Sequence, residues 1–351
     1  MAACPRWTCR RGARRAAIDT PDDLPDDLNA DAARFARDCA PLAAPDARIG
    51  LAVSGGPDSL AMLALAARAF PDRVEAVTVD HRLRPESADE AAMVARICGD
   101  LGVPHTALTV SVERSGNMQA NARMARYRAL GDWARERGLA AVASAHHADD
   151  QAENLLMRLN RGAGLKGLAA MRAARAMPMA GEVVLIRPLL GWRRSELASV
   201  CERAGLTPAQ DPSNEDDRYD RARIRAAMAR QDWLNPQHLA QSARHLREAF
   251  DALEHFAEAE IASRVERGAA GALYRPSPDP FPRAVRYRVV ERLLETLGTA
   301  RGAARGAEIE RLLAALESGG GGTLGGLHCV SRRGRDGPEW TFTPEPPRKT
   351  G

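Results

Sequence analysis

The chain has 351 residues, a length that favours two domains over one core or three. Its composition, 45% apolar and 27% charged, is that of a globular protein, and no apolar run approaches the ~20 residues needed to span a bilayer. The formal charge is +4 and rests almost wholly on arginine, since lysine occurs only at Lys166 and Lys349.

Arginine suits planar contact with phosphates and base edges, which makes nucleic acid a reasonable partner. A GC-rich genome accounts for the same bias equally well. The six cysteines, Cys4, Cys9, Cys39, Cys98, Cys201 and Cys329, are scattered with no CxxC pair. This pattern fits a reducing cytoplasm and argues against a disulfide framework, a zinc site or an iron–sulfur cluster.

The first 45 residues read as an extension. Met1 to Ala17 is basic without an apolar signal core, Pro21 to Asp27 is linker, and Ala30 to Leu42 is an amphipathic helix. Strands are then expected at Arg48 to Val53, Val74 to Val79, His105 to Val110, Leu139 to Ala145 and Val183 to Ile186. Helices alternate with them at Ser59 to Phe70, Ala88 to Leu101, Gln119 to Arg137, Asp149 to Asn160 and Arg194 to Ala204. This is the pattern of a doubly wound α/β domain on a parallel five-stranded sheet, spanning 46–230, with ligands at the carboxyl ends of the strands. From 231 to 343 the reading is mostly helical, with helices at Asn235 to Arg264, Ala284 to Leu297 and Ala307 to Leu316 and a hairpin around Thr323 to Val330. Residues 344–351 form a Pro-rich tail, expected to be disordered.

The first strand runs into Ser54-Gly55-Gly56-Pro57-Asp58-Ser59 and a helix. The glycines let the backbone approach a ligand, and the following amides and helix N-terminus favour an anion. The hydroxyls of Ser54 and Ser59 can add hydrogen bonds. Asp58 would repel phosphate unless it held a cation, for which Mg²⁺ is the natural choice. No Walker A pattern is present. Further polar residues stand at the ends of the second and fourth strands: Asp80-His81-Arg82-Leu83-Arg84, and His146-His147-Ala148-Asp149-Asp150-Gln151-Ala152-Glu153. The second run admits three readings: first-turn acids that complement a helix dipole, a transition-metal site, or acids that join Asp58 around Mg²⁺. The third is preferred, because adjacent histidines on an extended stretch point oppositely. Arg123, Arg126 and Tyr127 share one helix face, for which a solvated surface is the default.

The loop Ser-Gly-Gly-x-Asp-Ser resembles that of the PP-loop ATP pyrophosphatases, which cleave ATP to AMP and pyrophosphate. Within that superfamily the later motifs are similar to those of the tRNA(Ile)-lysidine synthetases: Asp80-His81 to Ser87, the A-R-x-x-R-Y of Ala122 to Tyr127, His146 to Leu168, Arg187-Pro188-Leu189-Leu190, and Asp211-Pro212-Ser213-Asn214 followed by Arg221 to Arg225. Asn154 stands where Thr is usual, and Ala222 where Asn is usual.

The resemblance implies a ligase. It would adenylate the 2-carbonyl oxygen of the wobble cytidine in the CAU anticodon of tRNA(Ile), and free lysine would then expel AMP. It assigns ATP to Ser54, Gly55, Gly56, Pro57, Asp58, Ser59, Asp80 and His81, and the chemistry to Asp58, Arg123, Asp149 and Asp150. Magnesium would sit on Asp58 and Asp149. The RNA would fall to Arg84, Arg126, Arg158, Arg161, Arg221, Arg223 and Arg225, with 231–343 as a tRNA-binding domain. The location would be cytoplasmic. Oligomeric state stays open, a homodimer being one option. The rivals are a PP-loop tRNA thiolase, a non-catalytic RNA-binding protein on the same scaffold, and a small-molecule amide ligase.

Overall fold

A computed structural model describes residues 28–80, 87–111, 118–209, 220–298 and 304–345. These fall into two compact units, the first comprising residues up to 151 together with 172–237, the second 152–171 with the chain from 238 onward.

In the first unit α1 (Asn29–Cys39) precedes β1 (Ile49–Ala52), α2 (Pro57–Ala69), β2 (Val74–Asp80), α3 (Ser87–Asp100), β3 (His105–Thr109), α4 (Met118–Glu136) and β4 (Ala141–Ser144). The chain then runs through α5 (Ala148–Asn160) and the single turn α6 (Leu165–Leu168). It continues with β5 (Ala174–Met177), β6 (Ala180–Ile186), α7 (Arg194–Arg203) and α8 (Asp220–Arg230). The sheet order is β3-β2-β1-β4-β6-β5. The five strands expected from sequence pair in parallel, and β5 adds a sixth, antiparallel strand at the edge.

Alternation along β1 sends Ile49, Leu51 and Val53 to one face, where they pack with residues of α1, α2, α3 and α7. Ala52 faces the other way, with Tyr127, Leu130 and Trp133 of α4. Gly50 also belongs to that side. A Cβ there would lie 2.5 Å from Trp133 Cζ3, so only glycine lets the indole lie against the strand. Gly50→Ala is expected to cost ~1–3 kcal/mol through overpacking. The midpoint of urea unfolding measures this, and an unchanged midpoint would refute the close contact.

The second unit contains α9 (Pro236–Arg264), β7 (Val265–Gly268), β8 (Gly271–Tyr274), α10 (Arg283–Leu297), α11 (Gly306–Glu317), β9 (Gly321–Leu324), β10 (Leu327–Arg333) and β11 (Pro338–Pro344). The expected helices are present. The single hairpin of the sequence reading is instead part of a five-stranded antiparallel sheet, β7-β8-β11-β10-β9. Tyr274, Cys329, Trp340 and Phe342 from this sheet bury against Val289, Leu293 and Leu313 of the helices. Glu260 is buried beneath them and accepts from Tyr274 Oη at 3.1 Å and from Ser277 N and Oγ at 2.9 Å each. Both carboxylate oxygens therefore accept hydrogen bonds.

Candidate active site

The Gly-rich loop is shaped by its own residues. Gly55 has φ +86°, a left-handed conformation that other residues rarely adopt. Gly56 is the extended N-cap of α2, and Pro57 occupies the first helical position, where its missing N–H costs nothing. Buried Ser59 staples the loop: its Oγ donates to Gly56 O at 2.9 Å and accepts from Ser54 N at 3.2 Å. Ser54 is exposed, and its hydroxyl is 3.3 Å from that of Ser59. The Gly55 carbonyl accepts from Ala209 N at 3.0 Å, so the segment just before Asp211 is tied to the loop. What results is a hydrogen-bonded turn of backbone amides at a helix N-terminus, a geometry that favours an anion.

β4 is the neighbour of β1 in the sheet, so the residues after β4 come to the same edge. His147 is 1% exposed and sits among three carboxylates. Its Nε2 lies 3.4 Å from Asp58 Oδ2 and 3.6 Å from Asp150 Oδ2, and its Nδ1 lies 3.7 Å from Asp149 Oδ2. Neither ring nitrogen makes a hydrogen bond, and Asp58 Oδ1 is likewise buried without one. Burial by itself would lower the His147 pKa; Asp58 and Asp150 outweigh it, against Arg194, and the net direction is upward. Asp150 also caps the start of α5, accepting from His147 N at 3.1 Å.

Asp149 is committed elsewhere. Its Oδ2 accepts from Arg194 N at 2.9 Å and from Arg193 Nε at 3.2 Å, while Oδ1 faces Arg193 Nη2 at 3.3 Å. Burial pushes its pKa up, but the bonds from Arg194 and Arg193 prevail and hold it below the usual carboxylate range. A carboxylate already gripped on both oxygens is poorly placed to bind Mg²⁺, so the pairing of Asp58 with Asp149 expected from sequence fits less well than Asp58 with Asp150. Arg193 went unnoticed in the sequence, because 44 residues separate it from Asp149 and no local pattern links them. Arg193→Met should lower turnover by releasing Asp149 and loosening the start of α5, which carries Asp150. Steady-state kcat at saturating ATP measures it, and unchanged turnover would refute the role.

The other expected residues distribute as follows. Asp80 is half-buried at the carboxyl end of β2, while His81 and Arg84 lie outside the described residues. Exposed Arg123 and half-buried Arg126 stand on α4, and His146 faces them. Its pKa falls to about 4, through burial first and then through Arg187, Arg126 and Arg123, with Asp150 opposing. Arg221, Arg223 and Arg225 are on α8 of the first unit. Arg158 and Arg161 belong to the second unit, where Arg158 Nη1 donates to Gly167 O at 2.6 Å and closes the glycine-spaced turn. Lys166 is ion-paired with Glu291 and Glu295 of α10, a structural tie. Among the described residues no group of three or more His, Cys, Asp or Glu side chains is disposed to hold a metal ion.

The family model of the PP-loop domain matches residues 28–232. The tRNA(Ile)-lysidine synthase of Novosphingobium aromaticivorans is 48% identical over 306 residues, which cover 87% of this chain and 91% of that protein. That of Zymomonas mobilis is 43% identical over 305 residues, 86% of this chain and 90% of the relative. The chain belongs to the tRNA(Ile)-lysidine synthase family. Among solved structures, a U34-tRNA thiolase from Methanococcus maripaludis with its [4Fe-4S] cluster shares the fold, with a TM-score of 0.53 at 17% identity over 64% of this chain and 80% of that one. The lysidine synthase assignment is also consistent with the thiols. Cys39, Cys98 and Cys201 of the first unit are all buried, and burial pushes them up to about 12, 12 and 11, far from the thiolate a sulfur-transfer enzyme needs.

Proposed function

We propose that the chain carries out its family's reaction, ATP-dependent ligation of lysine to tRNA(Ile), at the sheet edge after β1 and β4. The observation that carries this reading is the meeting of the Gly55–Gly56 anion cradle with Asp58, His147 and Asp150 in one place. The cradle and the N-terminus of α2 hold the departing pyrophosphate by backbone amides. The target is the wobble cytidine of a CAU anticodon. Its base must leave the stack to reach the edge, where the 2-carbonyl oxygen attacks the α-phosphate and pyrophosphate leaves. The ε-amine of free lysine then displaces AMP from the activated carbon.

Asp58 and Asp150 are the residues we assign to Mg²⁺. Asp58 fits because it offers a buried oxygen without a hydrogen-bond partner, and two carboxylates suffice for a cation that takes its remaining ligands from water and phosphate. When bound, Mg²⁺ neutralises charge on the triphosphate. His147 holds the two carboxylates together from beneath, and Asp149 with Arg193 fixes the start of α5. Arg126, Arg158, Arg161, Arg221, Arg223 and Arg225 supply cations for RNA phosphates. Four buried thiols without disulfides suit the reducing cytoplasm, where we place the protein.

The products distinguish this chemistry from phosphoryl transfer. With ATP, lysine and a tRNA bearing a CAU anticodon, AMP and pyrophosphate should appear in equal amounts, and only when the tRNA is present. Formation of ADP and phosphate would overturn the reading.

A further inference from the structure

A second concentration of charge lies next to the acids, and it is of one sign. Arg123 and Arg126 stand on α4, Arg175 on β5 and Arg187 at the end of β6, gathered about Tyr127 and His146. The guanidinium carbon of Arg123 is 4.9 Å from the centre of the Tyr127 ring, and that of Arg175 is 5.7 Å from it. Arg187 is only 4% exposed, donates Nη1 to Arg172 O at 2.7 Å and hydrogen-bonds the Tyr127 side chain. The Nε atoms of both Arg175 and Arg187 are buried without a partner. None of the four arginines has a carboxylate partner among the described residues.

Stacking of one guanidinium on a tyrosine is ordinary packing worth ~0.5–2 kcal/mol. Two guanidiniums over one ring, with Arg187 bonded to the same tyrosine and Arg126 beside it, are another matter, since like charges repel and burial adds to the cost. The sign of the effect is visible: Arg187 is held below its ordinary pKa by burial first and then by Arg175 and Arg123. The buried Nε atoms of Arg175 and Arg187, which find no acceptor among the protein's own groups, are satisfied when an anion enters. Planar forks converging from two strands and a helix match phosphate oxygens bidentately. Position separates this cluster from the Gly-rich loop. Tyr127 packs on the face of the sheet that carries α4, whereas α2 and its loop belong to the opposite face.

We propose that Arg175 and Arg187, together with Arg123 and Arg126, form a second phosphate site at the carboxyl ends of β4 and β6. The proposal rests on the reading of this edge as the reaction centre. Its ligand is a phosphate group, either of the ATP triphosphate or of the RNA strand beside the target base.

Arg175→Gln and Arg187→Gln, with Arg187→Lys as the charge-keeping control, separate the sources. Dissociation constants are measured for ATP alone, and for tRNA between about 50 and 200 mM salt. If the phosphate is the RNA's, the glutamine variants should bind tRNA about tenfold more weakly, and the slope of log Kd against log salt should fall by about one. ATP binding would then be unchanged, and Arg187→Lys should recover most of the tRNA loss. If the phosphate is ATP's, the loss should appear in ATP binding and not in tRNA. Variants that melt within about 2 °C of wild type and bind both ligands as wild type does would overturn the proposal. Should buried Arg187→Gln not fold, half-buried Arg175→Gln on the edge strand decides the matter. Wild type that neither binds nor modifies tRNA would instead overturn the underlying reading of the site.

Discussion

Asp58→Asn is expected to lower lysine-dependent pyrophosphate release by on the order of 10²–10³-fold or more, the range found when one preorganised electrostatic group is removed from a reaction centre. The substitution keeps the shape and removes the charge. In the fold Asp58 stands in the first turn of α2, half-buried, with one oxygen 3.4 Å from His147 Nε2 and the other buried without a partner. Neutralising it removes the acceptor proposed for Mg²⁺ and leaves the triphosphate charge uncompensated. The loss should fall on kcat, while the melting temperature changes little because, among the described residues, the only side chain paired with this carboxylate is His147 and an asparagine keeps its shape. Retention of more than about a tenth of wild-type turnover would refute its role.

Trp192→Ala is expected to destabilise the first unit by ~3–5 kcal/mol, as for other large-to-small changes in a packed core. Trp192 is 0% exposed, and its indole Nε1 donates to Asp38 Oδ2 at 2.8 Å. The Arg34 guanidinium lies 4.0 Å from the ring centre, so the side chain ties α1 to the turn before α7. The same turn reaches the site: Trp192 O accepts from Ala148 N at 2.8 Å, and Arg193 follows directly with its grip on Asp149. A cavity here should therefore raise the KM for ATP at temperatures where the protein is still folded. Chemical denaturation gives the stability, and a loss below about 1 kcal/mol would contradict the packing.

Much of the first unit was legible because its strands are short apolar runs between helices of 3.6-residue periodicity, and parallel burial leaves few alternatives. β5 was not. Ala174-Arg175-Ala176-Met177 is short, interrupted by Arg175 and followed by Pro178, and its identity comes from pairing with β6. The second sheet was missed for a related reason. β7 begins directly where α9 ends, and neither it nor β8 exceeds four residues, too few for a period to declare itself. The alternation Trp340-Thr341-Phe342-Thr343 was a usable sign of β11, with both aromatics inward.

The motifs offer candidate residues but not their partners. Asp58 and His147 lie 89 positions apart, and only the adjacency of β1 and β4 brings them together. Ser59 reads as a phosphate ligand from its place in the loop, and its bond to Gly56 O is a contact that depends on the turn's geometry and that no local pattern announces. Arg187 stands in the sequence only as part of the Arg187-Pro188-Leu189-Leu190 motif, and nothing local marks Arg175. Their shared ring, Tyr127, belongs to a helix that packs from outside the strand order.

The most direct test of the whole account is transfer of labelled lysine to tRNA. Purified protein incubated with ATP, magnesium and bulk tRNA should attach lysine in a linkage that survives mild alkali, with the label confined to an isoleucine tRNA of CAU anticodon and absent from Asp58→Asn. Folded wild-type protein that leaves the tRNA unlabelled, or labels it through an alkali-labile ester, would contradict the assignment.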